Sequence, residues 1–480
     1  MLSHKERCFK QHLVVSLEEL VPQDNFYRQV EAKLDLSFTR DLVRQFYSAF
    51  GRPSIDPVTF FKLHLIMFFE GIRSERQLME TVHLNLAHRW YIGYDLDQPV
   101  PDHSSLSKIR TRYGFQVFHR FFEKIVELCI EAGLVWGKEL YFDGTKVRAN
   151  AAVNTMETRI ELVKQEHLDH LFPTQEAQPV QSSPRRLVDI YNGQRLTSRP
   201  SHWYKRTTDS KVSTTDADAT PMKHSNDDRA TLGYHTHYVV DGGKARIILA
   251  ALVTPASIMD NTPMLDLERW VCFRWSLFPQ IAVGDTKYGT IANIVGLEQD
   301  GIRAYLPQPD YSHRTKFYPA ERFYYDTDQD QYVCPQGQHL PLKARRKSEQ
   351  VSLYIAPAAT CNACPVKLEC TDSKSGRYIF RSFFQEYLDR AEHYQQSEAY
   401  KKALRKRQVW VEPLFGEGKQ WHGMRRFRLR GLEKVNIEGL MRAAGQNIKR
   451  LLKARTGKRP VRPAGSAALG HTFQWIFCLL

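Results

Sequence analysis

The chain has 480 residues, 42% hydrophobic and 25% charged. This is an ordinary globular composition, and it excludes a chain that is disordered throughout. No uncharged apolar run reaches the roughly 18 residues that a transmembrane helix needs, and the charged N-terminus lacks the apolar stretch of a signal peptide. We therefore expect a soluble, intracellular protein with a large core and no membrane partner.

Residues 1–135 are predicted to form a helical N-terminal domain. Asp56 stands directly before Pro57 and an apolar run, which is typical of a helix N-terminus, and Ser74 begins a capping box. Residues 114–133 carry their aromatic side chains on one stripe, as a packed helix does. Such a module is equally compatible with DNA binding and with plain packing or dimerisation.

Two strands are predicted to end at an aspartate. Residues 139–142 (ELYF) form an apolar run that meets Asp143-Gly144, and residues 280–283 (QIAV) form another that meets Asp285. Between them, two β-rich runs on either side of Gly242-Gly243 predict a hairpin.

Residues 136–460 are predicted to form one domain, large enough for a catalytic core, and residues 461–480 a C-terminal tail. A proline-rich mobile linker is expected over 173–202 and a Cys-containing insertion over about 310–385, of which 320–380 is expected to be poor in strands. Further predicted elements are helices over 155–171, 263–275, 290–299 and 385–455, and a strand over 303–306.

The net charge of +15 comes almost entirely from one segment. Residues 401–460 hold 18 Lys and Arg against 4 Asp and Glu, whereas the other 420 residues hold 50 against 49. A segment so rich in cations, with apolar residues at helical spacing, favours nucleic acid as the partner over a merely solvated tail.

The two aspartates at strand ends are candidate metal ligands. Active sites of α/β sheets lie where strands end, and two carboxylates there can hold divalent ions that act on a phosphodiester. Oxygen ligands favour Mg²⁺ or Mn²⁺. Either aspartate alone is weak support, because Asp-Gly is also a common turn.

A third acid lies inside the basic segment. Glu412 stands in the run WVEPLFGEGK, two helical turns before Lys419, so the two would share one helix face. Glu417 lies only two residues from Lys419 and would not. The alternative for Glu412 is an ordinary ion pair with a nearby arginine. Because Pro413 disfavours helix at the residue before it, we expect the helix to start at Pro413, with Glu412 as its cap.

Taken in order, these motifs resemble the bacterial insertion-sequence transposases of the DDE type. Asp143 in its FDGT setting matches the first catalytic aspartate, Asp285 with Tyr288 matches the second, and Glu412 matches the glutamate. The sequence PDHSSLSKIR at 101–110 is similar to the helical domain that precedes the core in that family. Three positions depart from the family pattern, namely Lys287, Arg405 and Arg407.

The resemblance implies an α/β fold, with a ribonuclease-H-like mixed sheet flanked by helices after an all-helical N-terminal domain. It implies that Asp143, Asp285 and Glu412 hold two Mg²⁺ or Mn²⁺ ions, and that the enzyme cuts and joins DNA. The partners would be terminal inverted repeats and target DNA, bound by a homo-oligomer in the bacterial cytoplasm at the nucleoid. The cations assigned to DNA phosphates are Lys419, Arg425, Arg426, Arg428 and Arg430.

Two other functions stay open at this point. A non-catalytic DNA-binding protein derived from a transposase would keep the fold, and a metal-dependent nuclease would cut without joining. The three intact acids favour catalysis.

Four of the eight cysteines cluster as Cys334-x26-Cys361-x2-Cys364-x5-Cys370. The CxxC pair supplies two thiolates on one turn, and the other two could complete a tetrahedral Zn²⁺ site. Four ordinary cysteines in a small insertion are the alternative, because a typical zinc ribbon has two such pairs. A zinc ion here would be structural.

Overall fold

In the computed structural model of the chain, the residues described are 14–48, 50, 54–158, 211–223, 229–309 and 316–454. The predicted linker at 173–202, the tail at 461–480 and most of the helix expected over 155–171 lie outside these residues. Residues 153–158, which are described, form a short 3-10 turn and a strand rather than the start of a helix.

The N-terminal region is helical, as predicted. Its elements are α1 (Leu17–Leu20), α2 (Phe26–Lys33), α3 (Phe38–Val43) with a 3-10 turn (Arg44–Phe46), α4 (Pro57–Phe69), α5 (Glu75–Leu84), α6 (Leu86–Ile92) and α7 (His103–Glu131). The predicted caps are present, because Asp56 accepts a hydrogen bond from the N–H of Val58 and Ser74 accepts one from Gln77. The α7 helix is kinked at Gly114, whose φ of +64° suits glycine.

A six-stranded mixed sheet forms the centre of the molecule. The strands of this region are β1 (Glu139–Arg148), β2 (Met156–Thr158), β3 (Lys211–Ser213), β4 (Thr220–Met222), β5 (Thr231–Asp241), β6 (Ile248–Pro255), β7 (Ile281–Val283) and β8 (Arg303–Tyr305). The β5 strand pairs antiparallel with β1 on one side and with β6 and β4 on the other. The β1, β7 and β8 strands run parallel, and β2 pairs with β3 separately.

Eight further α-helices follow in the described part of the chain, and six of them pack on this sheet, as the predicted α/β class requires. They are α8 (Met264–Trp275), α9 (Ile291–Gln299), α10 (Ala358–Asn362), α11 (Lys367–Cys370), α12 (Gln385–Gln395), α13 (Glu398–Trp410), α14 (Glu412–Trp421) and α15 (Leu432–Lys453). Of these, α10 and α11 belong to the Cys-containing region.

The α15 helix joins the N-terminal helices to the sheet. It packs on α7, α4 and β6, and two buried asparagines on it reach the backbone of β6. Asn436 accepts a hydrogen bond from Val253 at 2.7 Å, and Asn447 accepts one from Ile248 at 2.9 Å. These bonds satisfy backbone groups that an edge strand would leave unpaired. One hydrophobic core therefore runs across the predicted boundary at residue 135.

The Cys-containing region is a second sheet, so the expectation of few strands was wrong. Five antiparallel strands follow in chain order, namely β9 (Tyr324–Asp326), β10 (Gln331–Val333), β11 (His339–Arg346), β12 (Val351–Ile355) and β13 (Tyr378–Ser382). They surround a small core of their own. The pattern was missed because the strands are short and β11, sequence HLPLKARR, is mostly exposed and carries little apolar alternation.

Candidate active site

Asp143 and Asp285 lie level with each other, the first on β1 and the second just after the neighbouring parallel strand β7. The register pairs Tyr141 of β1 with Val283 of β7. Two residues after each of these positions the sequence has an aspartate. Asp285 follows the end of β7 and caps a short 3-10 turn. Asp143, in contrast, lies inside β1, because β5 pairs with β1 well past it. The prediction that β1 ends at Asp143 was therefore wrong, although the aspartate faces its predicted partner.

Glu412 reaches the same place from the helices. The α13 helix ends at Trp410 and α14 begins at Glu412, one residue earlier than predicted. Pro413 is tolerated at the second helical position because the N–H groups of a first turn have no partner within the helix. The Glu412 side chain is 56% exposed.

Arg407 of α13 lies between the three carboxylates. Its Nη2 atom is 3.0 Å from Oδ1 of Asp143 and 3.8 Å from Oδ2 of Asp285, and its Nη1 atom is 3.7 Å from Oε1 of Glu412. The arginine side chain is buried, at 11% exposure. The three acids predicted from separate parts of the chain thus converge on one cation.

The environment of Asp143 opposes its ionisation. Burial raises the pKa of Asp143 to about 6, and the charge of Asp285 adds to this effect, while Arg407 and the N–H of Gly144 lower it. The arginine therefore compensates acidic charge that would be unfavourable here by itself.

A fourth acid, which sequence reasoning did not assign to the site, lies beside these residues. Asp260 pairs with Nδ1 of His235 at 2.9 Å and with Nζ of Lys287 at 2.9 Å. A Cβ atom at Gly144 would lie 3.4 Å from Oδ1 of Asp260. The hydrogen bond to Asp260, with the charges of Asp260 and Asp285, raises the pKa of Lys287. Lys287, which departs from the family pattern, thus supplies a cation to this acidic region. In the sequence, only its position two residues after Asp285 could have indicated this role.

The predicted DNA-contacting cations lie at the end of α14 and in the loop that follows it. Lys419 lies near Asp143; burial lowers its pKa and the charge of Asp143 acts in the opposite direction. Three exposed arginines donate to backbone carbonyls, and two of them hold the loop against the residues that follow β1. Arg425 donates to the carbonyl of Lys419, Arg426 to that of Ala149, and Arg430 to that of Asn150.

Arg428 differs from the other three arginines. Its Nη1 atom is 2.7 Å from Oε1 of Glu75, a carboxylate that Arg110 also binds. The side chains of Glu75 and Arg110 are mostly buried, so this cluster joins the N-terminal helices to the core. The geometry thus speaks against the predicted DNA contact of Arg428, because its guanidinium is engaged with a carboxylate inside the protein.

Glu417, the other acid of α14 considered as the catalytic glutamate, points away from the site. It pairs with Lys449 at 2.5 Å, Arg450 at 3.3 Å and His422 at 3.5 Å. Burial by itself raises the pKa of Glu417, but the hydrogen bonds with His422 and Lys449 and the charge of Arg450 bring it well below its usual value. The arrangement is that of a structural ion pair on α14.

The carboxylates have the chemistry of a divalent-metal site, with Arg407 in its middle. Their oxygen atoms suit Mg²⁺ or Mn²⁺. Within the described residues, however, no group of three or more His, Cys, Asp or Glu side chains is arranged closely enough to hold a metal ion. In this structure the positive charge between the acids is the guanidinium.

The four predicted cysteines line one small cavity in the second sheet. Backbone N–H groups lie 3.3 Å from two of the sulfur atoms, from Gln338 to Cys334 and from Arg377 to Cys361. Burial raises the pKa of the Cys370 thiol, and the other three thiols add to this. The four sulfurs are thus neighbours, although they do not form a closed ligand set as they stand.

Comparison with protein families gives two matches. Residues 15–112 match the transposase domain DUF772, and residues 333–452 match the transposase DDE domain. The second match contains Glu412 and the four clustered cysteines, and neither contains Asp143 or Asp285. No curated protein and no solved structure is a significant match.

The matches agree with the architecture, a helical N-terminal region followed by a ribonuclease-H-like mixed sheet with helices. None of the described helices is both long and apolar enough to span a bilayer. The chain is a transposase with a DUF772 N-terminal domain and a DDE catalytic domain, an enzyme of DNA transposition that cleaves and transfers DNA strands.

Proposed function

We propose that Asp143, Asp285 and Glu412 are the catalytic carboxylates of this transposase and that they hold two Mg²⁺ or Mn²⁺ ions. The observation that carries the proposal is their convergence on Arg407. Carboxylates from β1, from the end of β7 and from α14 are thus brought to one guanidinium from separate parts of the chain. Glu417, the other acid of α14, is paired elsewhere.

Divalent ions bound here would supply an activated water or 3′-hydroxyl nucleophile and stabilise the departing 3′ oxygen. The chain's own residues would prepare the site. Arg407 neutralises the acids while no metal is bound, and Asp143 must be ionised to serve as a ligand. A metal ion bound to Asp143 would compete with Arg407 for this carboxylate, whose Oδ1 atom lies 3.0 Å from the guanidinium. A guanidinium displaced in this way could bind a DNA phosphate.

The substrate in this proposal is the terminal inverted repeats of the element and then target DNA. Lys419, Arg425, Arg426 and Arg430 would hold the phosphate backbone beside the acids, fixing its register without reading its sequence. Each chain brings one set of three acids, and an element has two ends. We therefore propose a homo-oligomer on DNA, acting at the bacterial nucleoid, where that DNA lies.

The test is cleavage and joining of DNA that carries the end of the element from beside its own gene. Asp143→Asn, Asp285→Asn and Glu412→Gln should each reduce Mg²⁺-dependent cleavage by at least about 100-fold, as loss of transition-state charge stabilisation does, while DNA binding stays. Glu417→Gln is the matched control on the same helix and should keep most activity. Cleavage that survives in Glu412→Gln but is lost in Glu417→Gln would reverse the assignment. Cleavage without joining would favour a nuclease, and wild-type protein that binds but never cuts would favour a non-catalytic derivative.

We further propose that Cys334, Cys361, Cys364 and Cys370 hold one structural Zn²⁺. The proposal is supported by their shared cavity and by the backbone N–H groups directed at two sulfurs, since hydrogen bonds to a ligand atom orient it and stabilise its metal-bound form. Burial that raises a thiol pKa would be offset by the metal, which binds the thiolate form.

Metal analysis of protein purified without added zinc tests this site. About one zinc per chain is expected, and Cys361→Ser with Cys364→Ser should remove it and lower the melting temperature. Cys272→Ser is the control, because this half-buried cysteine lies in α8, outside the second sheet, and a serine there can keep its hydrogen bond to Glu268. Wild-type protein without zinc and with four freely titrating thiols would contradict the proposal.

A further inference from the structure

A cleft of about 1360 Å³ opens on the side of α13 that faces away from the carboxylates. Lys402, Arg405, Lys406 and Val409 line it, and their spacing places them on one helix face. Arg407 lies on the opposite face, with the acids. The other walls are the tip of the β5–β6 hairpin, the chain just before β1 and the end of α15.

The cleft is strongly basic. Its lining contains one carboxylate, Glu417, and eight cations, which are Lys244, Arg246, Lys402, Arg405, Lys406, Lys449, Arg450 and Lys453. Glu417 is already neutralised by Lys449 and Arg450. Lys406 pairs with Glu139 at 2.6 Å. Lys244, Lys402, Arg405 and Lys453 form no ion pair with any described residue, and all four are exposed.

Hydrogen bonds hold the walls of the cleft together. The indole N–H of Trp410 donates to the carbonyl of Gly243 at 3.0 Å, and Arg246 donates to the carbonyl of Val409 at 3.3 Å. Both bonds dock the hairpin tip onto α13. The cleft is therefore formed without a ligand, so little ordering of the backbone would oppose binding.

Exposed aromatic surface accompanies these cations. Trp136 is 52% exposed, and Nζ of Lys406 lies 5.4 Å from the centre of its ring and 4.9 Å from that of Trp410. Cations that can follow a phosphate backbone are what duplex DNA requires of a groove, and the two aromatic rings here lie against the ammonium group of Lys406. A small anion would need far less space.

The cleft lies close enough to the acids for one DNA molecule to reach both. Glu139, which pairs with the cleft residue Lys406, and Asp143 are four residues apart on β1, which corresponds to roughly 13 Å at about 3.3 Å per residue. Phosphates of one strand advance about 3.4 Å per nucleotide along a duplex. The separation therefore corresponds to roughly four nucleotides.

We propose that this cleft is a second DNA-binding site, which holds the backbone of the substrate duplex roughly four nucleotides from the phosphate being cut. Its distance from the cut rests on the proposed carboxylate site, whereas its affinity for DNA does not. The cations of the cleft would bind DNA phosphates in addition to those bound by the arginine loop at 425–430.

The first experiment measures DNA affinity as a function of salt concentration. The cleft variant combines Lys244→Ala, Lys402→Ala and Arg405→Ala. Its matched control removes three exposed lysines of the Cys-containing region, by Lys343→Ala, Lys347→Ala and Lys374→Ala. Three lost phosphate contacts should lower the slope of log affinity against log salt by about 2 to 3 in the cleft variant. The control should retain the wild-type slope.

An unchanged slope in the cleft variant would overturn the proposal, and so would an equal loss in the control, which would indicate net charge alone. All six substituted side chains are exposed, so both variants should have the melting temperature of the wild type. A lower melting temperature would identify a misfolded variant. This experiment needs no cleavage, so it remains decisive even if Glu412→Gln proves active and the proposed carboxylates are wrong.

The second experiment identifies which DNA enters the cleft. A photo-crosslinking amino acid at position 405, with position 347 as the control, is irradiated on DNA whose cut site has been mapped in Mg²⁺. Crosslinks are expected at about four nucleotides from the cut, on the same duplex. Crosslinks found only on a separate target duplex, or at equal yield from position 347, would overturn the proposal.

Discussion

The two sides of α13 differ in how their positive charge is balanced. On one side, a single buried cation, Arg407, faces three carboxylates. On the other side, the cleft has eight cations and one carboxylate. Both sides of the helix come from the same basic segment of the sequence. The net charge of that segment therefore does not show that one side faces excess negative charge and the other faces excess positive charge. The acidic side needs a cation, whereas the basic side needs an anion.

The comparison shows that the position of a cation relative to its neighbours decides what it can do. Arg407 and Lys406 are adjacent in sequence, yet one lies among the carboxylates and the other lies beside Trp136 and Trp410. A helix places consecutive residues about 100° apart. A substitution on one side of α13 should therefore leave the function of the other side unchanged.

The largest expected effect is on the acidic side. Arg407→Gln should lower the free energy of unfolding by about 3 kcal/mol in EDTA, because removing one partner of a buried ion pair leaves acidic charge without compensation. Added Mg²⁺ or Mn²⁺ should stabilise the variant more than the wild type, since metal no longer competes with the guanidinium. Thermal unfolding with and without metal provides the measurement.

Arg405→Gln, two residues away on the cleft side, is the control for that experiment. It should leave stability in EDTA unchanged and should not alter the response to metal. If Arg407→Gln is as stable as the wild type in EDTA, or gains nothing extra from metal, then Arg407 does not compensate the acids as argued.

The second prediction separates Arg428 from the neighbouring arginines. Arg425→Ala, Arg426→Ala and Arg430→Ala together should lower the salt slope of DNA binding by about 3, since these side chains are exposed beside the site. Arg428→Ala should leave that slope unchanged and lower the melting temperature instead, because it breaks the cluster with Glu75 and Arg110. A loss of slope in Arg428→Ala at unchanged stability would restore its predicted DNA contact.

The smallest expected effect concerns Glu417 on the basic side. Its pKa in the folded protein lies below the ordinary value of 4.5, so its ionised form stabilises the fold at pH 7. That contribution is lost as the pH falls below about 4.5, since protonation then favours the unfolded state. Glu417→Gln should therefore be less stable than the wild type at pH 7, with a gap that narrows on acidification. Urea unfolding between pH 7 and 3.5 measures the gap, and a constant gap would argue against this account.

Much of the fold was predictable because its signals are local. Caps at Asp56 and Ser74, the hairpin at Gly242-Gly243 and the short apolar run before Asp285 each depend on neighbouring residues. The second sheet was missed because most of its strands are only three to five residues long and the longest, β11, is mostly exposed, so the alternation that identifies a strand is weak. Asp143 was placed at a strand end because Asp-Gly favours a turn, a preference that pairing with β5 overrides.

For the site, the sequence by itself determined which acids are candidates, where the positive charge is concentrated and which cysteines cluster, because these are matters of residue type, order and spacing. Only the tertiary structure decided that Arg407 lies among the acids, that Arg428 is engaged with Glu75 and that Lys402 and Arg405 face an open cleft. The physical reason is that the charges which decide a side chain's role come from segments hundreds of residues away in sequence. Their positions are set by the packing of α13, α14 and α15 against the sheet.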